Sequence, residues 1–155
     1  MKKFRPYIIS ALIALGVGLL SALITKDYMN IYGMLTMPPL SPPAVVFPVV
    51  WAVLYVLMGI SSAMVYLTCR GEEACADALR VYALQLGVNF FWSIIFFRWR
   101  MFLFALLWLL LLIALVVIMI KRFWKVDSKS AYLQIPYLVW LLFAAYLNFG
   151  VFILN

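Results

Sequence analysis

Three groups of side chains have types and spacings that can do chemistry. Trp51 and Tyr55 stand four residues apart, which on a helix places them on one face. Gln85, Asn89, Trp92 and Phe96 follow one another at four, three and four residues, again on one face. Pro136, Trp140, Ala144 and Asn148 repeat every four. Aromatic faces with a few amides suit a flat apolar ligand, because rings offer stacking area and amides offer orienting hydrogen bonds. The same spacing also serves plain helix packing, in which an amide is interhelical glue worth about 0.6 kcal/mol in one membrane system.

Catalysis has less to draw on. The chain has no histidine, so imidazole is absent as a base, a haem ligand or a metal ligand. Two cysteines, Cys69 and Cys75, cannot complete a four-ligand zinc site unaided. All five carboxylates (Asp27, Glu72, Glu73, Asp77 and Asp127) fall in loops or at the ends of apolar runs. No acid–base pair is visible, no metal site is expected and no cofactor is required. A proton-driven pump would place ionisable groups at membrane depth, and none is there.

The elements that must position these groups follow from composition. Of 155 residues 69% are hydrophobic and 11% charged, against roughly 45–50% and about 25% in soluble domains. Apolar runs at 8–24, 44–67, 81–97, 101–120 and 131–154 each approach the ~20 residues a helix needs to cross a bilayer. They do not alternate as strands of a membrane barrel would. The fold expected is an all-α integral membrane protein, a bundle of five transmembrane helices forming one domain over 1–155. The first run follows Lys2, Lys3 and Arg5 as a signal peptide would, but it exceeds an h-region of roughly 7–15 residues, so it reads as a retained span.

The connection at 26–43 is the distinctive one. Pro38, Pro39, Pro42 and Pro43 fix φ and remove donors, so Met37 to Pro43 is expected to be stiff and non-helical. It leads into the helix carrying Trp51 and Tyr55, and reads as a lid, with a plain surface connection as the alternative. Near the start of the fifth span, Pro136 cannot bond back to the carbonyl of Tyr132, so a bend is expected there. Trp99 and Trp124, at span ends, read as interfacial anchors.

The net charge of +7 reflects bases flanking apolar spans, which sets orientation rather than nucleic-acid binding. With the N-terminus in the cytoplasm, nine basic residues lie on that side: Lys2, Lys3, Arg5, Arg70, Arg80, Lys121, Arg122, Lys125 and Lys129. Three lie opposite: Lys26, Arg98 and Arg100. This predicts N-in and C-out, with the Pro-rich loop facing outward. On that topology Cys69 and Cys75 are expected as two cytoplasmic free thiols, with a small disulfide between them, six residues apart, as the alternative in an oxidising space.

Small residues suggest close helix contacts. Ala14, Gly18 and Ala22 form one seam. Ala83 and Gly87 form another, about 160° around the third span from Gln85, Asn89 and Trp92 at 100° per residue. The second pair is expected to join two copies of the chain in a homodimer, or to face a neighbouring helix of its own bundle.

Taken together, Tyr32-x-x-Leu35-x-x-Pro38-x-x-x-Pro42-Pro43, Trp51-x-x-x-Tyr55, Asn89-x-x-Trp92 and Pro136-Tyr137-x-x-Trp140-x-x-Phe143-Ala144-x-x-Leu147-Asn148 resemble the TspO/MBR family of tryptophan-rich sensory and translocator proteins. The resemblance spans the whole chain. It implies a five-helix membrane receptor, often dimeric, that binds porphyrins and related flat hydrophobic molecules beneath the first loop. It implies that Tyr32, Trp51, Tyr55, Asn89, Trp92, Trp140, Phe143, Ala144 and Asn148 line the site, with Pro38, Pro42 and Pro43 in its cover. Leu40 stands where many members carry tryptophan. The stretch Leu147 to Ile153 lacks the tyrosine and base of the animal sterol pattern. Two alternatives to a receptor follow from the resemblance: light- and oxygen-dependent porphyrin degradation, and tetrapyrrole transport.

Overall fold

The computed structural model describes residues 2–68 and 72–155, and everything below concerns those residues. Five stretches are long and apolar enough to span a bilayer: Arg5–Tyr28, Val46–Thr68, Glu73–Arg98, Phe102–Val126 and Ser128–Leu154. The protein is an all-α integral membrane bundle.

The first span is α1 (Arg5–Thr25), started by Pro6 in its first turn, where the missing N–H costs least. A 3₁₀ turn (Lys26–Tyr28) and the single-turn α2 (Ile31–Met34) occupy the first half of the loop. Met37 to Pro43 is non-helical. The second span is α3 (Val46–Thr68) and the third is α4 (Glu73–Ser93). A π-helical turn (Ile94–Arg98) continues α4, and Arg100 then takes a left-handed φ of 54° to reverse the chain. The fourth span is α5 (Phe102–Val126).

The fifth span comes in two pieces, α6 (Ser128–Leu133) and α7 (Ile135–Leu154), broken at Gln134 with Pro136 in the first turn of α7. The break is where the missing Pro136 donor puts it. The Asp127 carboxylate caps α6 by accepting the Ser130 N–H at 3.1 Å.

The helices overrun the apolar windows at their charged ends. The stretch 68–80 is helical from Glu73, and 121–130 is helical except at Asp127. Burial explains this. Cys75 and Ala78 point into the bundle while Glu73 and Arg80 stay in solvent, and Phe123 is fully buried beside exposed Lys121 and Arg122. Asp77 and Arg122 join the two overhangs in an ion pair. Cys75 does not carry a free thiol, which corrects the expectation of two free thiols. The first turn of α4 turns it inward, with Sγ 3.2 Å from the Val65 carbonyl oxygen. Cys69, and Arg70 of the basic count, lie outside the described residues.

In α5 the buried residues Ala105, Leu109, Leu112, Val116, Met119 and Phe123 recur at four, three, four, three and four, a stripe facing the bundle. Leu107, Leu110, Leu111 and Ile118 are exposed on the other face, where acyl chains would cover them. Around the bundle, α1 packs on α3 and α4, α4 on α5, and α5 on α7. α1 and α3 approach each other closely, because a Cβ on Gly59 would strike the backbone of Ser10 and Ala11. Of the Ala14–Gly18–Ala22 seam, the first two residues face the bundle: Ala14 is fully buried, and a Cβ on Gly18 would meet the Tyr55 ring, while Ala22 is exposed. Ala83 and Gly87 are exposed and point away from the bundle.

Candidate functional site

A cavity of about 190 Å³ opens between α1, α3, α4 and α7, with the first loop over it. α3 contributes Phe47, Trp51 and Tyr55, one face at four-residue steps. α4 contributes Asn89, Trp92 and Ser93, and the π turn adds Phe96 and Phe97. An extra residue per turn changes which side chains share a face, and here two consecutive phenylalanines reach one space. α7 supplies Ala144, Leu147, Asn148 and Val151 at helical spacing, and α1 supplies Gly18, Ser21, Ala22 and Thr25. Met29, Tyr32, Met37 and Ala44 come from the loop.

The walls are stiffened by aromatic contacts. Trp51 lies 5.6 Å from the Tyr55 ring and edge-on to Tyr137 at 6.2 Å. Trp92 stacks on Phe96 at 5.2 Å. The polar groups are held from behind. The Tyr55 hydroxyl donates to Asn89 Oδ1 at 3.1 Å, and Asn89 Nδ2 donates to the Tyr137 hydroxyl at 2.6 Å. The Tyr137 hydroxyl donates to Gln85 Oε1 at 2.8 Å. This chain crosses α3, α4 and α7 in a dry interior, where leaving any member unpaired costs about 1–3 kcal/mol. A second tie runs from Trp92 Nε1 to Asn148 Oδ1 at 3.3 Å and from Asn148 Nδ2 to the Phe102 carbonyl at 2.9 Å. The amides therefore orient the cavity wall and glue helices at the same time.

The loop is bound down at several points. The Tyr32 hydroxyl donates to the Pro42 carbonyl, and the Ser41 hydroxyl to that of Pro38 at 2.6 Å. From α7, the Tyr146 hydroxyl donates to the Pro39 carbonyl at 2.7 Å, and the Asn155 amide pairs with both backbone groups of Thr36 at 2.9 Å. Pro38 is buried against Gly150, where a Cβ would collide with its ring. Leu40 takes a left-handed φ of 67° at the exposed tip. Burial raises the Tyr32 phenol above its ordinary value, so it remains a donor throughout the neutral range.

Of the nine candidate residues, Tyr32, Trp51, Tyr55, Asn89, Trp92, Ala144 and Asn148 line this cavity. Trp140 and Phe143 do not. They stand in an open groove between α3 and α7, with Val49, Val53, Leu57 and Val139. Trp140 meets one of the cavity residues, Phe47, edge-on at 5.8 Å. Pro38, Pro42 and Pro43 lie in the loop, Pro38 buried and Pro43 exposed. The lining residues not anticipated are those of α1, together with Met29, Met37, Ala44, Phe47, Pro48, Ser93, Phe97, Leu147 and Val151, and Tyr137 supports the wall from behind. Ser21 and Thr25 carried a signal, as hydroxyls one turn apart beside Gly18 and Ala22, and Phe47 continues the spacing of Trp51 and Tyr55.

The fold and site define a multi-pass membrane protein with an aromatic cavity roofed by a tethered loop. The TspO/MBR family model matches residues 9–154, and the chain belongs to that family. It is 38% identical over 124 residues to the protein CrtK of Rhodobacter capsulatus, covering 80% of this chain and 78% of the relative. It is 34% identical over 150 residues to the tryptophan-rich protein TspO of Archaeoglobus fulgidus, covering 94% of each. The translocator protein of Bos taurus is 34% identical over 119 residues, 76% of this chain and 70% of the relative.

Proposed function

We propose that the chain is a membrane receptor for porphyrins and related flat hydrophobic ligands, held in the cavity beneath the first loop. Family membership supports a ligand-binding role at the membrane. The observation that carries the finer reading is the pairing of Trp51, Trp92 and Phe96 as ring surfaces with Tyr55 and Asn89 as anchored polar groups. At about 190 Å³ the space is smaller than the roughly 300–1,000 Å³ of most ligand sites. A tetrapyrrole therefore enters by one edge, or displaces the loop as it binds. With no histidine to ligate iron, metal-free porphyrin is favoured over haem.

The test is quenching of tryptophan fluorescence by protoporphyrin. It should saturate in the wild type, and weaken in Trp51→Ala and Trp92→Ala. Non-saturable quenching in the wild type rejects the receptor reading.

Two companion proposals concern placement. The N-terminus is cytoplasmic and the loop external, on the nine-to-three distribution of basic residues. Cysteine labelling at Met34, exposed in the loop, checks this in intact cells. Two copies pair through the third span, supported by exposed Ala83 and by open space around Gly87. Gly87→Leu should yield monomers in detergent that still bind porphyrin.

A further inference from the structure

No carboxylate, lysine or arginine lines the cavity, yet cations stand at its outer end. Lys26 directly follows the lining residue Thr25, and Arg98 directly follows the lining residue Phe97. Both are exposed. The Arg98 guanidinium lies 5.6 Å from the centroid of the Tyr28 ring, so it reaches from the end of α4 to the end of α1. Those two helices wall the cavity between them. Among the described residues the only ion pair is Arg122 with Asp77; Asp27, which stands between Lys26 and Tyr28 in the same turn, pairs with neither Lys26 nor Arg98. The π turn makes this placement: the same Ile94–Arg98 segment sends Phe96 and Phe97 into the cavity and Arg98 onto Tyr28.

We propose that Arg98, assisted by Lys26, is a carboxylate-binding rim, and that the ligand class is a flat apolar ring acid with its carboxylate on one edge. The inference rests on the receptor reading above. A ring too large for the cavity enters by its apolar edge, which leaves the opposite edge at the mouth. A carboxylate on that edge meets a planar guanidinium, which pairs with carboxylates through two parallel hydrogen bonds. The Tyr28 ring holds the guanidinium in place as a cation–π partner. An uncharged ring of the same shape gains nothing from this rim, so the rim selects ring acids over their neutral counterparts.

The experiment compares protoporphyrin IX with its dimethyl ester, by fluorescence quenching in one detergent, on wild type, Arg98→Gln, Lys26→Gln and the double variant. The acid should bind the wild type about tenfold tighter than the ester, equivalent to about 1.4 kcal/mol. Arg98→Gln should remove most of that preference and the double variant all of it, with ester affinity unchanged. The unchanged ester shows that the variants are folded. Added salt should weaken the acid and leave the ester alone. Equal binding of acid and ester by the wild type, or a preference that survives in the double variant, overturns the rim while leaving the receptor reading intact. If neither compound saturates, the receptor reading fails and takes the rim with it. Oleate competing as well as the porphyrin acid also overturns the proposal, because a chain acid would then satisfy the rim without a ring.

Discussion

The cavity between α1 and α4 and the groove between α3 and α7 are made of similar residues, and they differ in what stands behind those residues. The groove is the larger space, about 750 Å³, and it has a tryptophan of its own, Trp140. Its lining is otherwise aliphatic side chains, Pro136 and Phe143, and the Trp140 Nε1–H is buried without a partner. No polar group in it is held in place by a hydrogen bond, and an acyl chain fills such a surface as well as anything else. The cavity is smaller, but Tyr55, Asn89 and Asn148 are each fixed there by hydrogen bonds that run to other helices. It also has a tethered roof. Specificity comes from a few polar groups held in place, not from apolar volume.

The sharpest way to break the comparison is to remove one tryptophan from each side. Trp51→Ala should weaken protoporphyrin binding by about tenfold or more, on the scale of ~1–3 kcal/mol for losing one aromatic stacking platform. Trp140→Ala should change it by less than about threefold. Titrations monitored by porphyrin absorbance keep the readout independent of the tryptophan removed.

A second prediction concerns the support behind the wall. Tyr137→Phe leaves Asn89 Nδ2 and Gln85 Oε1 without their partner. The expected cost is about 1–3 kcal/mol of stability, read as a lowered melting temperature in detergent. Binding should weaken as well, since Asn89 loses its orientation. The groove has no corresponding chain, so Val139→Ile should leave both stability and binding nearly unchanged.

The smallest effect expected is at the roof. Tyr32→Phe removes the donor to the Pro42 carbonyl, a neutral hydrogen bond worth about 0.5–1.5 kcal/mol. Dissociation of porphyrin should quicken by a few-fold with little change in melting temperature. In the wild type, burial raises the folded-state value of the Tyr32 phenol. Its contribution is therefore fully present below its ordinary value of about 10 and is lost as pH rises through the raised one. Binding should not vary between pH 6 and 9 on account of this residue.

Much of this was legible in the sequence, for identifiable reasons. The five spans follow from apolar run length alone, and the break at Gln134 follows from one proline. The overhanging ends of α4 and α5 were hidden because charged residues there occupy one face while Cys75, Ala78 and Phe123 occupy the other. Hydropathy averages the two. The faces on α3 and α4 point into one cavity, because a regular helix keeps residues at four-step spacing together. The sequence could not show which neighbours a face meets. Trp140 shares a helix face with Ala144 and Asn148, yet near the start of α7 it is directed at α3, while its partners about one and two turns later reach the cavity. Phe97 depends on a π turn that has no marker in Ile94–Arg98. The share of α1 is not legible in the sequence because small residues read as packing, whereas Gly18 and Ala22 leave room that the cavity uses.

The measurement that tests the central claim most directly is a structure of the protein with protoporphyrin bound. The account predicts the ring in the cavity, in contact with Trp51 and Trp92, beneath the loop segment Met37 to Pro43. A ring seated in the groove on Trp140 and Phe143, with the cavity unchanged, would contradict it.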